Sequence, residues 1–303
     1  MIFKAKILLF GEYAVLYHSD ALLIPFDKFT GKLDFLDGHS NSCQRKIQSN
    51  KVLYQLALYI EKVQKESDDL HSFQLKRFKR AIDEGLYFNS RIPEGYGTGS
   101  SGALSAAVFD SFFRDNAEYY EPSGWMALKK QLAVIESFFH GKSSGLDPLV
   151  SYLDQGILIQ DKNVQPVKPD FSSFHPFLID TSVARSTQDF VHLFHNKCQN
   201  LEYEKNISTR FLDLNNRCIH SLLKDDHSTF FPALKELSGF QYEAFNEMIL
   251  PEFKPLWKES LDSEVYSLKL CGAGGGGYLL GFSKRQDQLE QLKKEIRLTI
   301  VEL

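Results

Sequence analysis

A mixed α/β chain in two parts is what three features of the sequence predict. Strand-like apolar segments alternate with stretches of helical spacing. Two glycine-rich loops interrupt them, and Pro166, Pro169 and Pro176 punctuate a passage to a second half after about residue 165. The boundary is drawn as 1–165 and 166–303, and 303 residues suffice for two domains of ordinary size. Hydrophobic residues make up 43% and charged residues 24%, a globular composition rather than that of a disordered tail.

Each element has its own signal. Phe3–Phe10 is rich in Ile, Leu and Phe and reads as a strand; Gly11 marks a turn, and Ala14–Tyr17 resumes regular structure. Between Leu22 and Leu36, Pro25, Asp27 and Gly31 break the apolar runs, which predicts short strands near a sheet edge. Val52, Leu56, Tyr59, Ile60 and Val63 stand at helical spacing. Phe73–Phe78 alternates Phe73 and Leu75 with Gln74 and Lys76, a strand pattern. A loop over Pro93–Gly102 runs into a helix over Ala103–Phe113, and Gly124–Phe139 is an amphipathic helix ended by the stretch from His140 to Pro148. The second half carries helical stretches at Thr187–Lys197, Ser208–Lys224 and Thr229–Phe245. Strands at Tyr266–Leu270 and Tyr278–Phe282 follow, and then a charged terminal helix. No internal repeat or low-complexity tract is present.

Charge and cysteine usage exclude several function classes. Lys plus Arg total 35 against 39 Asp plus Glu, a net charge of −4, so there is no global attraction to nucleic acid or to an anionic membrane. Cys43, Cys198, Cys218 and Cys271 lack metal-ligand spacing and read as reduced thiols of a cytoplasmic protein. No apolar run is long enough to span a bilayer, and Met1–Phe10 has no signal-peptide layout. The expected partner is a small molecule.

Chemistry concentrates in three places. In Pro93-Glu94-Gly95-Tyr96-Gly97-Thr98-Gly99-Ser100-Ser101-Gly102-Ala103, repeated Gly lets backbone N–H groups curl inward. Ser100 and Ser101 are placed to cap the helix starting near Ala103, and the helix N-terminus favours phosphate. The loop is not a Walker A motif, since no GK[ST] closes it, and a flexible turn before a helix has the same composition. The second loop, Gly272-Ala273-Gly274-Gly275-Gly276-Gly277, admits close approach by a ligand or a tight strand connection. Between them Glu136 offers an oxygen ligand for Mg²⁺, and Asp147 offers a carboxylate to orient or deprotonate a hydroxyl. Lys6 interrupts the first apolar strand, where an unpaired charge is costly, and Glu12 follows Gly11. Phosphate cradle, metal carboxylate, cation and acceptor-positioning base are the parts phosphoryl transfer requires.

Three separated motifs resemble those of the galactokinase, homoserine kinase, mevalonate kinase and phosphomevalonate kinase (GHMP) family. They are KILLFGEYAVL from Lys6, the PxxxGxGSS loop from Pro93 to Ala103, and LCGAGGGG from Leu270 to Gly277. Within the family, Glu136 followed by HGKSSGLDPLVSY is most similar to mevalonate kinases. The resemblance implies a ribosomal-protein-S5-like N-terminal domain and a ferredoxin-like C-terminal domain with ATP in the cleft. It implies that Pro93, Gly95, Gly97, Thr98, Gly99, Ser100, Ser101, Gly102, Ala103, Gly274 and Gly275 bind nucleotide, and that Glu136 and Ser101 hold Mg²⁺. Asp147 would be the catalytic carboxylate with Lys6 beside it, and Glu12, Tyr13, His140, Thr181 and Arg185 would lie on the substrate side. The implied reaction is ATP-dependent phosphorylation of mevalonate in isoprenoid biosynthesis, by a monomer or homodimer. Tyr13 stands where mevalonate kinases commonly have His, and GEYAVL resembles phosphomevalonate kinases. Phosphomevalonate, another alcohol or sugar, and a nucleotide-binding protein without catalysis are the alternatives.

Overall fold

The computed structural model describes residues 1–36, 44–114, 119, 121–185 and 187–303; Cys43 and Ser186 lie outside them. It contains two compact units. The first comprises Met1–Lys6, Pro25–Pro93 and Thr98–Gln155; the second comprises Ile7–Ile24, Glu94–Gly97 and Gly156–Leu303.

Strand β1 (Phe3–Phe10) has the expected bounds. The short strands expected between Leu22 and Leu36 are instead one 15-residue strand, β2 (Ala21–Phe35). Pro25 and Asp27 fall in the gap between two of its ladders. Ala21–Leu23 and Gly31–Phe35 carry the pairings to other strands described below, and both residues lie between those stretches. Gly31 is also no break, because the Phe88 ring lies over it where a side chain would otherwise stand.

The first unit adds α1 (Gln44–Glu66), α2 (Leu75–Asp83), β3 (Leu86–Ser90), α3 (Ser100–Phe112), α4 (Trp125–His140) and α5 (Leu146–Leu153). Gly31–Phe35 of β2 pairs antiparallel with β3, and α1 packs on β3. The strand expected at Phe73–Phe78 is corrected to the start of α2. Phe78, Ala81 and Ile82 are its buried positions, a helical period, and the Phe78 ring packs on Phe73 and Phe112. Tertiary packing outweighs a short alternation here. Helix α3 packs against both α4 and α5. Its run of small residues (Gly102, Ala103, Ser105, Ala106, Ala107) is buried on every side, so neighbouring backbones approach closely.

The second unit adds β4 (Gly156–Gln160), β5 (Asn163–Val167), β6 (Pro176–Asp180), α6 (Thr187–Lys197) and α7 (Leu201–Asn206). A π-helical turn at Ile207–Phe211 leads into α8 (Leu212–Leu223), then α9 (His227–Ala244), α10 (Lys254–Asp262), β7 (Tyr266–Leu270), β8 (Tyr278–Ser283), α11 (Gln286–Glu295) and β9 (Ile300–Glu302). Ala21–Leu23 of β2 pairs antiparallel with β4, and β4 with β5. Strands β7, β8, β6 and β9, in that order, form a four-stranded antiparallel sheet with α9 and α10 packed on β7. Phe10, Phe174, Phe230 and Phe282 are buried in its core with their rings in contact, each such side chain worth about 1.5–3 kcal/mol on burial. Cys198, Cys218 and Cys271 are in no disulfide. Among the described residues no helix is long and apolar enough to cross a membrane.

Candidate active site

In the first unit Lys6, Gly99, Ser101, Gly102, Glu136, His140 and Asp147 come together. The Lys6 backbone N–H donates to the Thr98 carbonyl at 3.0 Å, which ties β1 to the glycine loop. Lys6 Nζ stands 3.0 Å from Asp147 Oδ1, and its side chain is almost wholly buried. Asp147 thus answers an ammonium that would otherwise be desolvated without a partner. The expected loop around Asp147 is instead the first turn of α5, entered through a left-handed Gly145, with Pro148 in the first turn where a missing N–H costs nothing.

The glycines explain how the parts fit so closely. A Cβ on Gly99 would stand 2.9 Å from Lys6 Cγ and 3.7 Å from Asp147 Oδ2. A Cβ on Gly102 would stand 2.8 Å from the Asp147 carbonyl carbon and 2.9 Å from Pro148 N. Helix α3 begins at Ser100, earlier than expected, and its N-cap is Gly99 in the left-handed region at φ 78°. Ser100 and Ser101 therefore sit inside the first turn and do not cap it. The N-cap offers no side-chain acceptor, while the Ala103 N–H already bonds the Gly99 carbonyl. The N–H groups of Ser100, Ser101 and Gly102 form an open helix N-terminus beside the Lys6–Asp147 pair. Thr98 is buried and its hydroxyl donates to the Pro93 carbonyl at 3.2 Å, closing the loop on itself.

Glu136 is 4% exposed, and hydroxyls bind both of its carboxylate oxygens. Ser101 Oγ donates to Oε1 at 3.3 Å, and Ser143 Oγ donates to Oε2. His140 Nε2 lies 2.9 Å from Ser101 Oγ. With the Ser101 proton on Glu136, the ring must be the donor, which assigns its proton to Nε2. Burial pushes His140 below the ordinary histidine range and favours that neutral ring. Burial first, and the Asp147 charge second, push Glu136 up. A buried carboxylate beside a second carboxylate is a site short of positive charge. Its donors, Glu136 and Ser101, are all oxygen, as Mg²⁺ prefers. No group of three or more His, Cys, Asp or Glu that could hold a metal occurs among the described residues. The set suits a cation that takes one carboxylate and completes its shell with phosphate and water.

The other expected site residues belong to the second unit. Glu12 Oε1 pairs with Lys269 Nζ at 2.6 Å, both buried, and also accepts from the Gly272 N–H at 3.4 Å. Burial pushes Glu12 up against the opposing pull of Lys269. The Tyr13 hydroxyl donates to the Ala273 carbonyl at 2.6 Å, and its ring stacks on Phe194. Arg185 donates to the Gly274 carbonyl at 2.9 Å and to the Cys271 carbonyl at 3.2 Å, and its backbone N–H to Gly95 at 3.0 Å. Gly97 is close against that guanidinium. The Thr181 hydroxyl donates to the Gly277 carbonyl at 2.8 Å. Gly274 abuts the Met248 carbonyl and Gly275 the Phe190 ring, so protein atoms fill the space their missing side chains leave.

Sequence reasoning overlooked Ser143 and Lys269. Lys269 carries the same signal as Lys6, a lysine inside an apolar strand. Ser143 carries no signal of its own, because a serine between Lys142 and Ser144 reads as an ordinary loop residue.

Comparison with known proteins bears on both units. Residues 218–300 match the family model described as GHMP kinases C terminal. No curated protein sequence matches the chain. Among solved structures, an L. major mevalonate kinase in complex with R-mevalonate is similar at TM-score 0.61 and 16% identity, over 99% of this chain and 94% of that one. A Streptococcus pneumoniae phosphomevalonate kinase is similar at TM-score 0.62 and 17% identity, over 100% and 98%. A Lactococcus lactis galactokinase complexed with galactose is similar at TM-score 0.65 and 15% identity, over 99% and 92%. Residues 218–300 are thus similar to the C-terminal domain of GHMP kinases, and the chain as a whole shares the fold of these kinase structures.

Proposed function

We propose that this chain is an ATP-dependent small-molecule kinase of the GHMP type, with mevalonate as its acceptor. The observation that carries the reading is the Lys6–Asp147 pair, at 3.0 Å, beside the open N-terminus of α3. In this reading the N–H groups of Ser100, Ser101 and Gly102 receive phosphate oxygens. Glu136 and Ser101 would hold Mg²⁺, which supplies neutralisation of charge on the phosphates. Asp147 accepts the hydrogen bond of the acceptor hydroxyl and takes its proton as that oxygen bonds the γ-phosphorus and the bond from the γ-phosphorus to the β-phosphate oxygen breaks, with ADP as the leaving group. Lys6 holds that carboxylate in place and offsets negative charge at the reacting oxygen. The antiparallel β7-β8-β6-β9 sheet with α9 and α10 against it supports a ferredoxin-like second unit. We read the first as ribosomal-protein-S5-like.

A phosphorylated acceptor would draw on Lys4, Lys142 or Arg185. Lys4 is paired with Asp27 at 3.0 Å and Asp154 at 2.9 Å, and Arg185 is engaged with two carbonyls. Lys142 is exposed and the described side-chain bonds of Arg185 go to neutral carbonyls, so the choice of an unphosphorylated alcohol rests on the resemblance of HGKSSGLD to mevalonate kinases. The test is ADP release from Mg·ATP with mevalonate and with 5-phosphomevalonate under identical conditions. Turnover with mevalonate alone supports the proposal. Turnover with phosphomevalonate alone keeps the mechanism and replaces the acceptor. Nucleotide binding without turnover on any alcohol or sugar would point to a protein that has lost catalysis.

A further inference from the structure

Glu136 and Asp147 sit on different helices, and the Ser143 side chain joins Glu136 to the N-cap of the helix that carries Asp147. Ser143 Oγ donates to Glu136 Oε2 and accepts the Gly145 N–H at 2.9 Å. Gly145 is the N-cap of α5, two residues before Asp147. The Ser143 backbone N–H donates to Ser137 Oγ at 3.1 Å, and that hydroxyl donates to the Ala133 carbonyl at 2.7 Å. The turn is thereby stitched to the last turns of α4 through backbone and side chain together. Gly145, at φ 72°, is pressed on the same helix; a Cβ there would stand 2.9 Å from Ala133 Cβ. Ser144, its neighbour, offers its hydroxyl only a long bond from the Leu146 N–H, at 3.4 Å.

We propose that Ser143 is a positioning residue that aims Glu136 at the metal and fixes it in register with Asp147; this rests on the kinase reading above. A hydroxyl with one proton and two lone pairs can donate to only one acceptor, and here that acceptor is Oε2. Ser101 takes Oε1, so the carboxylate plane is held from both ends and its remaining lone pairs have a defined direction. Outer partners of this kind tune metal affinity as strongly as many ligands do. Ser143→Ala removes the Oε2 bond and frees the carboxylate to rotate, and it also removes the acceptor of the Gly145 N–H, while leaving the Ser101 bond and the α3 N-terminus in place.

The experiment compares wild type, Ser143→Ala and Ser143→Thr by calorimetric titration with a non-hydrolysable ATP analogue, with and without Mg²⁺, alongside thermal unfolding. The alanine variant should lose about 10-fold of the Mg²⁺-dependent gain in affinity, keep its metal-free affinity, and melt slightly below the wild type because the Gly145 N–H loses its acceptor. Threonine, which keeps the hydroxyl, should restore the gain to within about twofold. Equal losses with and without Mg²⁺ would reduce Ser143 to a turn cap and overturn the inference, as would an alanine variant that keeps the wild-type Mg²⁺-dependent gain. A wild type that gains no affinity from Mg²⁺ would overturn the kinase reading itself, and the inference with it.

Discussion

The two glycine-rich loops look alike in sequence and are used in opposite ways. Gly99 and Gly102 stand against the side chain of Lys6 and the backbone of Asp147, and the N–H groups that follow Gly99 open the end of a helix. At the loop over 272–277, protein partners take several of the backbone polar groups. Arg185 takes the carbonyls of Cys271 and Gly274, Tyr13 that of Ala273, and Thr181 that of Gly277. Its N–H groups at Gly272, Gly275 and Gly277 go to Glu12, Met248 and Val183. Glycine reports that something approaches closely, and only the neighbours tell whether it is a reacting group or a structural brace.

The sharpest way to test that contrast is at the carboxylate beside the first loop. Asp147→Asn keeps the shape of the side chain and removes its charge and basicity. Turnover should fall by about 10²–10⁴, the usual worth of a positioned acid–base group. Affinity for Mg·nucleotide should survive, because the groups assigned to it are Glu136, Ser101 and the α3 N-terminus. Normal turnover in this variant would remove Asp147 from the chemistry and leave the first loop as another brace.

A pair of glycine substitutions crosses the comparison. In Gly99→Ala the new methyl meets Lys6 Cγ at 2.9 Å, so Lys6 must shift from Asp147. Rate should fall by about 10-fold or more, since small displacements at reacting groups are costly, with a backbone cost of about 1–2 kcal/mol at this left-handed position. In Gly275→Ala the methyl overlaps the Phe190 ring at a backbone φ of 71°. Stability should drop by about 2–4 kcal/mol from overpacking and the left-handed backbone together. The surviving folded fraction, measured by active-site titration, should turn over at the wild-type rate. Equal catalytic loss per folded molecule in both variants would erase the distinction between the loops.

Much of this was readable before any coordinates. Phe3–Phe10, Thr187–Lys197 and Tyr266–Leu270 carry clear local patterns and form the elements those patterns predict. Lys6, Ser101, Glu136 and Asp147 are legible as candidates because charged residues in apolar settings and glycine before a helix are local signals. Where the outcome depended on distant partners, local reading failed. Phe73–Phe78 alternates like a strand, yet its Phe78 is claimed by Phe73 and Phe112 as part of a helix. Pro25 and Asp27 look like strand breakers because the gap between two ladders on β2 is invisible in one dimension. The Glu12–Lys269 pair joins residues 257 positions apart, and no spacing rule reaches that far.

A smaller effect is expected inside the second loop. Tyr13→Phe deletes the hydroxyl that satisfies the buried Ala273 carbonyl, at a cost of about 1–2 kcal/mol in urea unfolding. Nucleotide affinity and acceptor KM should not move if Tyr13 is a brace. A raised acceptor KM at unchanged stability would instead place its ring on the substrate side, as the motif resemblance implies.

The smallest effect concerns the base of the β7–β8 hairpin that carries the second loop. Glu264 precedes β7 and Lys284 follows β8; they pair at 2.9 Å, and Lys235 joins the same carboxylate at 2.9 Å. Hydrogen bonds from Lys284 and Lys235 lower Glu264 from 4.5 to about 2. A depressed carboxylate contributes stability that is complete above its unfolded value and is lost as the pH falls toward the folded one. The clasp should therefore hold above about pH 4.5 and open progressively toward pH 2. Because the group is exposed, salt screens it and its share is small. Glu264→Gln should lower the neutral-pH melting temperature only slightly and flatten the acid limb between those values, with the difference from wild type shrinking in 1 M salt. A difference that persists in salt, or that grows below pH 2, would mean the side chain acts by packing and not by charge, and the hairpin would then owe its closure to the ladder and the buried braces alone.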